Sequence, residues 1–352
     1  MSNGNVSAQE QTAEQAIERA SLRRGQAVPV RRLVLAGVVT LAGFAAAILS
    51  NRLIPQVAQG LKDAQYALGP LTLDRNGFYR LVLLALMIIY ALKGVEAYFT
   101  PRKRTHYVKQ AAFRCALGIA LALFDLLGTK LQATPQPFFP GLAQILKSFL
   151  MEGAYIGTNV LYSLRLFGAG FALGVGTGVM IGWFHKVYYW VYPVRKITGV
   201  IPAVAWMPFA LTLFPTPFAA AVFLIVISSW FTVASQTSFG IQTTPRSQFE
   251  AARTLGGSTP YLVFHVAVPH AMPQIFNGVT TACASSFTCL VIAEMMGQPG
   301  GLGYYINVAK VWAAYYKIFA AILIMAVLFS LIQAILGAVR GYVLRWQRGQ
   351  SK

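Results

Sequence analysis

Gln242-Thr-Thr-Pro-Arg-Ser-Gln-Phe-Glu-Ala-Ala-Arg-Thr-Leu-Gly-Gly-Ser-Thr-Pro-Tyr261, running on to Val266-Ala267-Val268-Pro269, is a polar interlude in an otherwise apolar chain. Its local chemistry predicts two short helices. Thr244 can cap the first, with Pro245 at the first helical position, where its missing N–H costs nothing. Gln248 to Leu255 continue that helix. Gly256-Gly257 end it, because glycine accepts the left-handed conformation that closes a helix. Thr259-Pro260 start the second. A plain linker between membrane spans needs neither capped helices nor a tight glycine turn. A docking surface needs both, and the Ala251-Ala252 face allows close approach.

The segments on either side decide the class. The chain has 352 residues, 56% hydrophobic and only 11% charged, too few polar groups to cover a soluble protein of this size. Eight apolar stretches approach the ~20 residues needed to cross hydrocarbon. They lie at 33–51, 80–99, 112–129, 160–184, 197–214, 217–239, 270–293 and 318–340. The expected fold is therefore all-α and polytopic, with about eight transmembrane helices in a lipid bilayer.

The net charge of +19 raises the question of nucleic acid. The basic residues sit mainly in gaps between spans, and no basic stripe with interleaved aromatics lies outside them, so no nucleic-acid partner is expected. With a cytoplasmic N-terminus, about 19 of the 29 Lys and Arg fall on inside segments and about 8 on outside ones, with Lys93 and Arg165 within spans. The inside groups include Arg102-Lys103-Arg104, Arg195-Lys196 and the stretch from Arg340 to Lys352. Eight spans then put both termini in the cytoplasm. The preface at 1–32 ends in Arg31-Arg32 and is too long for an ordinary signal peptide, so the first span reads as an uncleaved anchor. Two outside segments are expected, 52–79 with Lys62, Asp63, Pro70 and Asp74, and 130–158 with Pro135, Pro137 and Pro140. The apolar end of the second can lie along the membrane surface.

The spacing inside the interlude is specific. Glu250-Ala251-Ala252 is followed after three residues by Gly256, and after nine more by Val266-x-Val268-Pro269. This resembles the EAA loop of the permease subunits of ATP-binding-cassette (ABC) importers. The resemblance extends from about Phe113 to Gln347, and is strongest to permeases for nitrate, sulfonates, taurine and related compounds. Ser163-Leu164-Arg165, Ile201-Pro202-Ala203-Val204-Ala205-Trp206-Met207-Pro208, Ala293-Glu294-Met295 and Gly300-Gly301-Leu302-Gly303 are similar to landmarks of that family. There are two departures. Leu213-Phe-Pro-Thr-Pro-Phe218 replaces a glycine-containing turn, and the spans within 33–99 are additional to the family's usual six.

The resemblance implies a six-helix permease core at 111–346 with a cytoplasmic coupling loop at 241–269. An accessory two-helix hairpin at 33–110, a polar segment at 1–32 and a tail at 347–352 flank it. Glu250, Ala251, Ala252, Gly256 and Pro269 are then expected to contact a separate cytoplasmic ABC ATPase. It also implies a permease homodimer, an external or periplasmic solute-binding protein, and residence in a bacterial cytoplasmic (inner) membrane. The transported species is then a small, anionic solute, moved inward by alternating access.

The remaining constellations bear on a pathway. Gly170, Gly174, Gly178 and Gly182 recur every four residues on one helix face, which lets another backbone approach closely. Pro202 and Pro208 flank Trp206, and a broken helix there can line the pathway with Trp206 as a gate, or be a structural kink. Ser285, Ser286 and Thr288 can line a polar route or bond their own helix backbone. Glu294, at the outer end of a span, can be a gate, a partner contact or a paired carboxylate. Arg165 can attract an anion or snorkel to the interface. The two N-terminal spans carry no comparable interior polar set. Cys115, Cys283 and Cys289 lie in apolar segments without metal or CxxC spacing and read as small hydrophobes.

No catalytic set is present, no metal site, and no cofactor motif. His265 and His270 do not form HExxH, and no phosphate-cradling glycine loop occurs, so ATP must be hydrolysed on another chain. An ion-coupled secondary carrier is the alternative class. It calls for charged residues deep in the spans and for repeat symmetry, and Lys93 and Asp125 supply neither.

Overall fold

The computed structural model describes residues 29–55, 66–68, 71–73, 75–131, 133 and 137–346. Most of the polar N-terminal segment, Lys62, Asp63, Pro70, Asp74, Pro135 and the tail 347–352 lie outside the described residues. The fold is all-α apart from a small antiparallel hairpin, β1 (Tyr66–Leu68) with β2 (Leu71–Leu73). Seven helices among the described residues are long and apolar enough to cross a membrane. The chain divides into two compact units, Met1–Leu150 and Met151–Lys352.

The first unit is built on α1 (Val30–Leu53), α2 (Arg75–Phe99), α3 (Pro101–Lys109), α4 (Ala111–Asp125) and α5 (Leu142–Met151, its last residue falling in the second unit). Helices α1 and α4 run parallel. Leu33 and Ala36 pack with Tyr107 and Ala111 at one end. Gly43 meets Cys115 and Gly118 in the middle, so closely that a Cβ on Gly43 would stand 2.6 Å from the Cys115 carbonyl oxygen. At the far end the Asn51 amide donates to Asp125 Oδ2 at 2.7 Å. Parallel neighbours require a return crossing, which α2 supplies, with its Tyr79 hydroxyl donating to the Leu121 carbonyl at 3.1 Å.

One expectation changes here. Asn51 is 3% exposed and Asp125 1%, so the N-terminal spans do contribute to a buried polar pair. Helix α4, which follows residue 110, packs within the N-terminal unit, because the Gly43–Gly118 contact and the Asn51–Asp125 bond tie it to α1.

The second unit comprises α6 (Gly153–Trp183), α7 (His185–Thr198), α8 (Met207–Leu213), α9 (Pro217–Gln242), α10 (Arg246–Thr254), α11 (Thr259–Leu262), α12 (Val268–Met295), α13 (Leu302–Val311) and α14 (Tyr315–Val343). The four-residue glycine stripe of α6 is buried against α9. Gly170 faces Ile225, Gly174 faces Ser229, Gly178 faces Val233 and Gly182 faces Thr237. The pairs climb together, so α6 and α9 are parallel and the segment between them must cross back. It does so as a broken element rather than as the continuous helix expected at 197–214. Helix α7 ends at Gly199, Pro202 is extended (φ −54°, ψ 135°), Ala203–Trp206 form a short 3-10 turn, and α8 follows. Proline disfavours helical backbone in the residue before it, which breaks the helix at Ile201. Pro208 lies in the first turn of α8, where it starts a helix and kinks none. The Arg195 guanidinium bonds the Ser235 hydroxyl and pins α7 to α9.

Helices α9 and α12 are antiparallel. Gly240 faces Ala271, Gly278 faces Gln236, and Ser228 donates to Ser286 at 3.1 Å. The core between α6, α8, α9 and α12 holds Leu166, Met207, Leu224, Ile225, Cys283 and Leu290. These pairings place Gln242, Val268 and the close of α14 at one end, and Pro217, Met295 and the start of α13 at the other.

Candidate functional site

The loop after α9 folds as two helices around a glycine turn. Helix α10 ends in a Schellman motif, where Gly257 N–H donates to the Ala252 carbonyl at 3.0 Å and Gly256 N–H to that of Arg253 at 2.9 Å. Gly256 has φ +82°, the left-handed geometry that favours glycine. The expected cap differs. Thr244 is buried, and its hydroxyl donates back to the Gly240 carbonyl at 3.4 Å, while Pro245 itself takes the N-cap position. Helix α11 continues through a π turn, Val263–Ala267, into α12, with Pro269 in the first turn of α12.

None of α10 is buried. Glu250, Ala251 and Gly256 are exposed, and Ala252 and Pro269 are half-buried. A groove of about 690 Å³ runs between α10 and the start of α12, lined by Ala251, Ala252, Leu255, Val266, Pro269 and Trp346. Leu255 stands 89% exposed at its rim. Small residues on its floor, an exposed apolar rim and a rigid turn form a shaped socket rather than a linker. Sequence reasoning missed Trp346, which closes the groove from the C-terminal end of the unit.

At the other end of α12, three buried side chains hold three successive backbone N–H groups. Gly301 N–H donates to Asn159 Oδ1 at 2.9 Å, Leu302 N–H to Ser163 Oγ at 2.9 Å, and Gly303 N–H to Glu294 Oε2 at 2.8 Å. The first turn of α13 is thereby clamped onto α6 and α12, with a carboxylate at the positive end of its dipole. The glycines serve the clamp. Gly301 has φ +106°, and a Cβ on Gly301 or Gly303 would collide with Glu294. Glu294 is 1% exposed, and its carboxylate caps the first turn of α13. Asn159, the clamp residue that sequence reasoning missed, lies one turn before Ser163 on α6, and that spacing is the one signal in the sequence that pointed to it.

Gln298 adds a second tie, accepting from the Tyr162 hydroxyl at 2.9 Å and donating to the Pro217 carbonyl at 2.5 Å. Glu152 forms a third, pairing with Lys317 and accepting from the Tyr305 hydroxyl at 2.8 Å. Burial, and then the Glu152 carboxylate, push the Tyr305 phenol well above its usual range. The clamp predicts a graded effect. Glu294→Ala removes a buried charged acceptor and is expected to cost about 2–3 kcal/mol, with Glu294→Gln costing less. Hydrogen exchange at Gly303 checks this, and unchanged protection in Glu294→Ala would remove the carboxylate from the clamp.

The other pathway candidates are dispersed. Ser285 and Thr288 lie on an exposed face of α12 with Thr281 and Ala284. Their hydroxyls bond helix carbonyls, Ser285 to Ala282 and Ser228, and Thr288 to Ala284. Trp206 packs on the core beside the broken crossing, ring to ring with Phe209 at 6.0 Å, and its buried indole N–H has no hydrogen-bond partner among the described residues. Arg165 is exposed on α6, and among the described residues no hydrogen bond or ion pair joins it to the others.

Comparison with known proteins places this arrangement. Residues 170–349 match the family described as binding-protein-dependent transport system inner membrane component. The putative aliphatic sulfonates transport permease protein SsuC of Bacillus subtilis (strain 168) is 26% identical over 235 residues, covering 65% of this chain and 85% of that protein. The nitrate import permease protein NrtB of Synechocystis sp. is 26% identical over 225 residues, covering 61% and 80%. Among solved structures, an amino acid ABC transporter crystallised with histidines is similar at a TM-score of 0.46 and 16% identity, covering 56% of this chain and 97% of that one. The family match runs from the glycine stripe of α6 to the end of α14 and takes in both the glycine-turn socket and Glu294, Gly301 and Gly303 of the clamp: the chain belongs to the binding-protein-dependent transport system inner membrane components, the permease subunits of ABC transporters.

Proposed function

We propose that this multi-pass membrane chain is the permease of an ABC importer that moves a small anion inward. The observation that carries the proposal is the exposed socket around Gly256. A capped glycine turn presents Glu250, Ala251 and Ala252 beside Pro269, in the form a separate ATPase can grip and push. Closure of the ATPase pair would move α10 and α11 as one piece. The π turn joins that piece directly to α12, so the motion reaches the exposed Ser285 and Thr288 face. That face supports a pathway between two copies of the chain, with Trp206 and the broken crossing at Pro202 beside it.

The anionic solute is supported by the named substrates of the similar SsuC and NrtB proteins and by the exposed Arg165. An external solute-binding protein would dock at the opposite end, where the clamp keeps the outer loop fixed. The Lys and Arg asymmetry supports cytoplasmic termini, and a reporter fused at Lys352 that is active only outside would overturn that orientation.

The decisive assay reconstitutes the chain with a cognate ABC ATPase and solute-binding protein. ATP hydrolysis is expected to rise with nitrate, an alkylsulfonate or taurine, and with no cationic solute. A response to cations alone would overturn the anion assignment, and an ATPase that fails to co-purify would overturn the importer reading.

A further inference from the structure

We propose that a pocket between α2, α3 and α4 of the N-terminal unit binds the headgroup of an acidic phospholipid. The pocket measures about 260 Å³ and is lined by Lys93, Glu96, Lys103, His106, Gln110 and Arg114. Arg114 is only 5% exposed. Its guanidinium carbon lies 4.4 Å from the Tyr107 ring centroid and 5.2 Å from that of Tyr90. One N–H group donates to Gln110 Oε1 at 2.7 Å and another reaches the Tyr107 carbonyl at 3.5 Å. A guanidinium carries five N–H groups, so donors are left for the oxygens of a ligand.

The charge balance points to an anion. Among the described residues, Glu96 is the only carboxylate lining the pocket, and it pairs with Lys103. That pair is more than half exposed and contributes little. Among the described residues no carboxylate therefore pairs with Lys93 or Arg114, and His106 lies beside them. Aromatic faces offset part of the cost of burying Arg114, but they do not cancel its charge. Arg104 is engaged elsewhere, bonding the Ala97 and Tyr98 carbonyls at the end of α2.

The surroundings select a lipid over a free ion. Ile89, Leu92, Tyr98 and Phe99 of α2 are 47%, 63%, 50% and 77% exposed, and Phe113 of α4 is 70% exposed. The pocket thus opens where an apolar spanning helix meets the basic surface helix α3. Acyl chains can lie on the first while the phosphate enters the second, the placement expected of basic pockets that hold acidic headgroups. The N-terminal unit gains a role in anchoring that does not depend on which solute the transporter carries.

The test uses the full-length chain in its purified complex, in nanodiscs of phosphatidylglycerol mixed with phosphatidylcholine. Native mass spectrometry is expected to retain phosphatidylglycerol selectively, and Lys93→Gln to weaken retention about fivefold. Arg114→Gln is expected to weaken it further, and Lys93→Gln with His106→Gln, both nearer the surface, serves where Arg114→Gln does not fold. Equal retention of phosphatidylcholine would overturn the proposal. So would displacement of the lipid by millimolar inorganic phosphate, which would make the pocket a free-anion site.

Discussion

Gly256→Asp is expected to leave the chain folded in its membrane and to abolish ATP-coupled uptake. The two halves of that expectation have separate causes. A Cβ built on Gly256 meets nothing within 4 Å, so the substitution creates no clash within the chain. The left-handed backbone at φ +82° costs a non-glycine residue about 1–2 kcal/mol, and Asp tolerates it better than most. A unit held by the α6–α9 glycine stripe and the α13 clamp withstands a loss of that size. The partner surface does not. The new carboxylate stands at the apex of the turn, beside the exposed Leu255, where the proposed coupling role brings another protein's surface into contact. An unpaired charge buried in that contact is strongly unfavourable. Gly256→Asn accepts the same backbone without the charge and is expected to retain part of the uptake. The comparison reads strain against charge directly. Normal uptake by a stably expressed Gly256→Asp chain would show that the turn is not the coupling surface.

The turn was legible in the sequence because every signal in it is local. Proline at a helix start and a glycine pair at its end act within a few residues, and only the Thr244 hydroxyl took a different partner. The glycine stripe of α6 was equally plain as a face. That the face meets α9 in parallel was not legible, because a four-residue period names a surface and not its neighbour. The broken crossing was hidden for a related reason. An apolar window over 197–214 averages across Pro202, and the need to return between parallel helices emerges only once α6 and α9 are placed. Glu294 read as a costly intramembrane carboxylate, which it is. Its purpose depends on Gly301 meeting Asn159, 142 residues away in sequence. Long-range polar pairs of this kind leave no periodic trace. Asn51 is the sharpest instance, a single amide at the end of an apolar run whose partner Asp125 lies 74 positions on.

That pair sets the expected result of truncation. Removing residues 1–100, with a new cytoplasmic start supplied, cuts away α1 and α2 but leaves α4. Asp125 then loses the Asn51 amide, and Leu121 one turn before it loses the Tyr79 hydroxyl, while Asp125 remains within a membrane-spanning segment. An unpaired carboxylate near the centre of a spanning helix costs about 2.5–3.5 kcal/mol on insertion scales, and less as it nears the interface. Gly118 loses its close contact with Gly43 as well, so the packing that oriented α4 disappears with the bond. The truncated chain is therefore expected to accumulate several-fold less in the membrane than the full chain. Asn51→Leu in the full chain isolates the polar term and is expected to produce a smaller loss, since the glycine contact survives. A truncation starting at residue 151 removes the compact unit whole and leaves no orphaned carboxylate. If that shorter chain accumulates and supports uptake while the 1–100 deletion does not, the N-terminal unit is accessory and its boundary lies near Leu150. Equal accumulation of the 1–100 deletion and the full chain would show that α4 does not depend on α1, and that the Asn51–Asp125 bond holds nothing in place.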